Sequence, residues 1–161
     1  DTSTLPGSVH SLMMFRGLLY AACHGGVSNS AEIQVRSNTT GLWTTSNDPG
    51  GSGIFYSSAL IVYGDELYSA IYSDGGTDIE RIRKFDGTTW TTDRDLVVSG
   101  DLVAAQPIGQ AILYGDDLFY CFQSTGAANA DGFILRKRSG TWSKVSTDNY
   151  TGKLAVLLEK T

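Results

Sequence analysis

The chain is poor in the features that would make it helical, membrane-spanning, disulfide-stapled or basic. No window places apolar residues at steps of three, four and seven, so no amphipathic helix is expected. No run reaches about 18 apolar residues, so no membrane insertion is expected. Proline occurs only 3 times against 19 glycines, a balance that favours tight turns. The two cysteines, Cys23 and Cys121, are too few for a disulfide framework and are expected as buried free thiols. Lys and Arg (12) are outnumbered by Asp and Glu (17), which excludes the basic footprint that phosphates demand, and no nucleic-acid partner is expected. Residues 1–10, DTSTLPGSVH, have no basic n-region and no apolar h-region, so no signal peptide is expected there.

Catalytic chemistry is equally sparse. No G-x-S-x-G, H-E-x-x-H, P-loop or Cys-His arrangement occurs. His10 and His24 stand apart, without a carboxylate at ligand spacing. The stretch SDGGTD, with Asp74 and Asp78, lacks the ligand-rich pattern of an EF-hand and reads as a solvated turn. Asp65, Glu66, Asp116 and Asp117 fall in turn sequences, which explains them without general acid and base roles. The expectation is a protein that is not an enzyme and has no cofactor and no metal. Asn38-Thr39-Thr40 and Asn149-Tyr150-Thr151 fit the glycosylation sequon, which matters only in a secreted eukaryotic protein.

What the chain does have is a repeat. MFRGLLYAAC, VYGDELYSAI and LYGDDLFYCF are three spellings of one segment, anchored at Phe15, Tyr63 and Tyr114 and therefore 48 and 51 residues apart. The following segments recur too: VRSNTTGLW ends at Trp43, IRKFDGTTW at Trp90 and LRKRSGTW at Trp142. Periods of this size belong to solenoids, propellers or arrays. With 161 residues, 41% of them hydrophobic and 18% charged, the chain suits one ordered repeat domain over 1–161. Its repeats lie at about 8–53, 54–101 and 102–150, and 151–161 is read as a further strand.

One unit reads as four strands. SALIVY is an apolar run, GDE a turn, LYSAIYS an alternating strand, DGGTD a second turn, IERIRKF a third strand, DGTT a third turn and TWTT the opening of a fourth strand. The fold class expected is all-β: propeller-type repeats, three four-stranded antiparallel blades plus the start of a fourth unit. On the second strand Leu19, Ala21 and Cys23 share one face, as do Leu67, Ser69 and Ile71, and Leu118, Tyr120 and Phe122. The opposite face carries a small residue in the middle each time, Ala22, Ala70 or Cys121, which predicts close approach of a neighbouring sheet.

The pattern YGDELYSAIYSDGG…IRKFDGTTW resembles the blade repeat of non-catalytic β-propellers of the tachylectin and tectonin type, and similar blades in phage and cell-surface proteins. The resemblance covers residues 12–145 and lies in the order of parts within each repeat, namely a Tyr-Gly turn, a Leu-Tyr strand, an Arg strand and Gly-Thr-Trp. It implies a non-enzymatic structural or interaction module in a virion or on a cell surface, hence an extracellular or virion location. The alternative it implies is a carbohydrate-binding lectin with glycan sites at blade junctions. The Asp-box of sialidases is not matched, because Asp86 and Gly87 are adjacent and the other copies lack the Asp.

Candidate ligand-binding residues follow from the repeat. Trp43, Trp90 and Trp142 are either sugar-stacking platforms or packing residues between blades. Arg36, Arg83 and Arg136 either bind acidic groups, or bridge to a turn Asp such as Asp65 or Asp116, or lie over a Trp face. His24, Tyr72 and Gln123 align at a strand end and vary as a pocket rim would. Gly41, Gly87 and Gly140, each shortly before a Trp, are expected as turn residues with positive φ. Three blades leave open faces and edges, so a homo-oligomer or larger assembly is expected as partner, most simply a two-fold dimer. In that reading the strand around Leu154–Leu158 completes a sheet of the neighbour.

Overall fold

A computed structural model describes residues 5, 8–23, 33–47, 54–74, 80–96, 99, 105–124 and 133–146. The chain is all-β, with twelve strands and no helix among these residues. The first sheet holds β1 (Val9–Phe15), β2 (Leu18–Cys23), β3 (Ile33–Arg36) and β4 (Trp43–Asn47). The second holds β5 (Ile54–Tyr63), β6 (Glu66–Asp74), β7 (Glu80–Phe85) and β8 (Trp90–Asp95). The third holds β9 (Ala105–Tyr114), β10 (Asp117–Ser124), β11 (Phe133–Arg138) and β12 (Thr141–Ser146). Each is a four-stranded antiparallel meander in chain order. The expected C-terminal strand at 151–161 lies outside the described residues.

Glycine makes the first hairpin of every sheet possible. Gly64 and Gly115 open two-residue turns with φ of 60° and 58°, the positive first position of a type II′ turn. The first sheet spells this turn Arg16-Gly17 and holds both residues at positive φ, 48° and 76°, as a type I′ turn does. The third-to-fourth-strand hairpins differ in length. Residues 37–42, 86–89 and 139–140 connect them, and each contains a positive-φ glycine: Gly41 (72°), Gly87 (101°) and Gly140 (81°). The expectation for these three glycines therefore holds.

Register then aligns side chains across each sheet, because directly opposed residues share a face. Equivalent rows are Met14–Leu19–Arg36–Trp43, Val62–Leu67–Phe85–Trp90 and Leu113–Leu118–Lys137–Trp142. On the opposite faces lie Met13–Tyr20–Val35–Thr44, Ile61–Tyr68–Lys84–Thr91 and Ile112–Phe119–Arg136–Ser143. Just beyond each Trp row the fourth strand carries one extra residue: Ser46, Asp93 or Val145.

The sheets stack with one polarity. The Tyr20 face of the first packs on the Trp90 face of the second, burying Phe15, Tyr20, Ala22, Ile33, Leu60, Leu67, Phe85 and Trp90 together. The Tyr68 face of the second packs on the Trp142 side of the third, around Ile61, Ala70, Ile82, Leu118, Tyr120, Phe122 and Leu135. Ala22 and Ala70 sit in these two cores, as their small size predicts. The first strands β1, β5 and β9 are neighbours in turn.

Candidate functional site

The two junctions between sheets hold Trp90 and Trp142 of the sequence-predicted site residues, together with polar partners that the sequence does not single out. At the junction of the second and third sheets, the indole N–H of Trp142 donates to Asp93 Oδ2 at 2.6 Å. Lys137 Nζ donates to the same oxygen at 2.5 Å and to the Tyr68 hydroxyl at 2.9 Å. Tyr68 in turn donates to Glu66 Oε2 at 2.8 Å, and Lys84 bonds Glu66 at 2.9 Å. Lys137 is 5% exposed and lies over the rings of Tyr68 and Trp142 at 4.8 and 5.5 Å. Burial, reinforced by the hydrogen bond to Glu66, pushes the Tyr68 hydroxyl well above the ordinary tyrosine range. The bond to Glu66 likewise raises Lys84. Both groups therefore hold their protons at neutral pH.

The junction of the first and second sheets is built on the same plan with other atoms. Trp90 Nε1 donates to Ser46 Oγ at 3.4 Å. Phe85 takes the place of Lys137, stacking on Trp90 at 5.0 Å and meeting Tyr20 at 6.0 Å. The hairpin tips are also tied. Tyr63 donates through its hydroxyl to Asp116 O at 3.0 Å. Phe15, the equivalent of Tyr63, has no hydroxyl, and its neighbour Arg16 donates to Asp65 O at 3.3 Å instead.

These bonds give the repeated tryptophans different surroundings. Trp90 is buried and Trp142 partly buried, each with its N–H spent across a junction. Trp43 is half-exposed on the outer face of the first sheet, beside Arg36. The three arginines are not equivalent. Arg36 stands opposite Trp43, Arg83 opposite Thr92 and Arg136 opposite Ser143, so Arg136 lies on the other face of its sheet. Arg83 donates to Trp90 O at 3.0 Å within its own hairpin. The turn carboxylate that binds a guanidinium on both oxygens is Asp117, held by Arg138 at 2.6 and 2.7 Å, and this pairing keeps its carboxyl below the usual range. His24 lies outside the described residues; Tyr72 and Gln123 are placed by backbone register only, opposite Tyr56 and Gln106. None of the sequence-predicted candidates among the described residues lines the polar cleft at the hairpin tips, whose walls are other residues.

This polar cleft of about 480 Å³ lies at the tips of the second and third sheets, lined by Tyr63, Tyr114, Gly115, Asp116, Asp117, Arg138 and Ser139. Its signal in the sequence is the Tyr-Gly-Asp turn itself, which by composition reads as turn chemistry alone. Cys23 and Cys121 are buried and not joined in a disulfide, and burial pushes Cys121 up to about 11, which suppresses its thiolate. Among the described residues no three His, Cys, Asp or Glu side chains converge as a metal site. No protein-family model and no curated protein matches the chain.

Proposed function

We propose that the chain is a non-enzymatic structural and interaction module made of propeller-type blades, part of a virion or cell-surface assembly. The observation that carries this reading is the double use of one junction. Successive sheets meet face to face with the same polarity, the same Trp-to-bulge hydrogen bond and first strands adjacent. Such a design spends its repeated polar groups on joining blades, and it propagates radially. The blade resemblance over residues 12–145 supports the virion or cell-surface setting.

A lectin is the second reading, favoured by the Tyr63–Tyr114 cleft, whose lining joins two tyrosines with Asp116 and Arg138. Carbohydrate sites combine aromatic faces with a few fixed polar groups in this way. A glycan array separates the two. The module reading expects no specific binding. A glycan signal that disappears in Asp116→Ala, with the far-ultraviolet circular dichroism unchanged, would replace it by the lectin reading.

A further inference from the structure

Among the described residues, the two outermost faces of the stack are the unused halves of the junction that the molecule makes twice. On the first sheet, Leu12 and Met14 occupy the positions of Leu60 and Val62 in the second. Leu60 is 4% exposed because the first sheet covers it; Leu12 and Met14 are 54% and 58% exposed. On the third sheet, Tyr114 occupies the position of Phe15 and Tyr63. Phe15 is 5% exposed inside the first junction, whereas Tyr114 is 59% exposed. Phe119 stands where Tyr20 and Tyr68 receive the next sheet, and Val145 stands where Ser46 and Asp93 accept the next tryptophan. Gln110 Oε1 and Arg136 Nε, which share this face, are buried without a hydrogen-bond partner among the described residues. Both faces thus carry junction residues with no described sheet against them.

We infer that these faces pair with each other between copies: the outer face of the first sheet docks on the outer face of the third sheet of a second copy. This rests on the blade reading of the stack. The occupant is argued from continuity with the existing junctions, since the Met14–Leu19–Arg36–Trp43 row matches the rows that already dock on Tyr20 and Tyr68. The contact is heterologous, and heterologous contacts close into rings when the rotation permits. Two copies supply six sheets, inside the usual four to eight of closed propellers.

The same comparison sets the chemistry of the contact. Arg36 takes the place of Lys137, whose ammonium lies over Tyr68, so Arg36 lies over Phe119 of the second copy. Arg136 takes the place of Lys84. The carboxylate of Asp93, which serves both lysines, is replaced by Val145. The docked contact therefore lacks the anion that Asp93 supplies in the second junction, and is weaker than that junction. Supplying the carboxylate should strengthen it.

The test is the mass of the full chain in solution, by light scattering over a dilution series. The expected result is a dimer in reversible exchange with monomer. Leu12→Lys with Met14→Lys, or Tyr114→Glu with Val145→Glu, should each give folded monomers, and a mixture of the two should recover dimers through the intact pair of faces. Val145→Asp should tighten dimerisation about tenfold, the equivalent of about 1.4 kcal/mol. A folded wild-type monomer at every concentration overturns the docking. So does a dimer that survives either double variant, or variants that fail to complement. The glycan array reads the blade-module function separately, so a monomer that binds no glycan refutes this pairing alone.

Discussion

The first junction is apolar and aromatic; the second is ionic. At equivalent positions the first uses Phe85 and Ser46 where the second uses Lys137 and Asp93. The two substitutions are linked. Lys137 is buried, and a buried ammonium is tolerated only beside an anion and further hydrogen-bond partners. Phe85 has no such requirement, and Ser46 needs only to receive one N–H. One backbone plan thus accepts two chemical solutions, provided both members change together. The apolar version gains stacking without desolvating ions. The ionic version gains a geometry that few other partners satisfy.

Breaking the ionic junction should have the largest effect. Asp93→Ala leaves Lys137 buried with no carboxylate against it among the described residues, only the Tyr68 hydroxyl and two aromatic rings, with an expected loss of about 3–5 kcal/mol in urea unfolding. Ser46→Ala, its counterpart, removes one long neutral hydrogen bond and should cost about 1 kcal/mol or less. The double change Asp93→Ser with Lys137→Phe rebuilds the first junction's chemistry in the second and should recover most of the loss. Equal costs for the two single variants would show that the charge is not what distinguishes the junctions.

The tyrosines sharpen the contrast at smaller cost. Tyr68→Phe removes a hydroxyl that links Lys137 to Glu66, for an expected loss of about 1.5–3 kcal/mol. Tyr20→Phe, at the same place in the aromatic junction, should be close to neutral by the same measurement. Gly87→Val should cost about 1–3 kcal/mol, since φ is 101°; the Arg16 guanidinium that a Cβ would meet ends a flexible, exposed side chain and can move aside. Gly140→Val carries the strain of φ 81° in open space and should cost a comparable amount in thermal melts; a much smaller cost would show that Arg16 does not yield at Gly87.

Sequence alone reveals the strands, the glycine turns and the close approach at Ala22 and Ala70, because alternation and turn chemistry are local. It hides which arginines are equivalent. Val35-Arg36, Ile82-Arg83 and Leu135-Arg136 look alike, but the hairpins that follow have different lengths. Counted back from the tryptophan, the three arginines fall on different rungs. A one-residue offset turns a strand side chain to the other face, as it does for Arg136. The bulge residues Ser46, Asp93 and Val145 are also invisible in the sequence, since a bulge is a property of pairing and not of one strand. Lys137 has the sequence surroundings of a solvated strand cation; only the stacking of the third sheet on the second buries it.

The smallest expected effect concerns pH and the exposed hairpin at the first junction. Asp86 Oδ1 accepts from the Thr88 hydroxyl at 2.7 Å and from the backbone N–H groups of Thr88 and Thr89 at 2.7 and 2.8 Å. Chiefly through the Thr88 hydroxyl, these bonds lower the carboxyl to about 2. The unfolded chain has a value near 3.9. A depressed folded value means that the unfolded state binds the proton more readily. Asp86 therefore stabilises the fold above about pH 4, and this contribution is lost as pH falls through about 2. The matching loop of the first sheet uses the hydroxyl of Ser37 for the same bonds and has nothing to titrate. Asp86→Asn keeps an acceptor oxygen but no charge, so it converts the second loop to the first loop's behaviour. The stability difference between wild type and Asp86→Asn, measured by urea titration from about pH 6 to about pH 2, should favour wild type at the upper end and shrink steadily below about pH 4. A difference that stays constant across that range would assign the role of Asp86 to turn geometry and not to its charge.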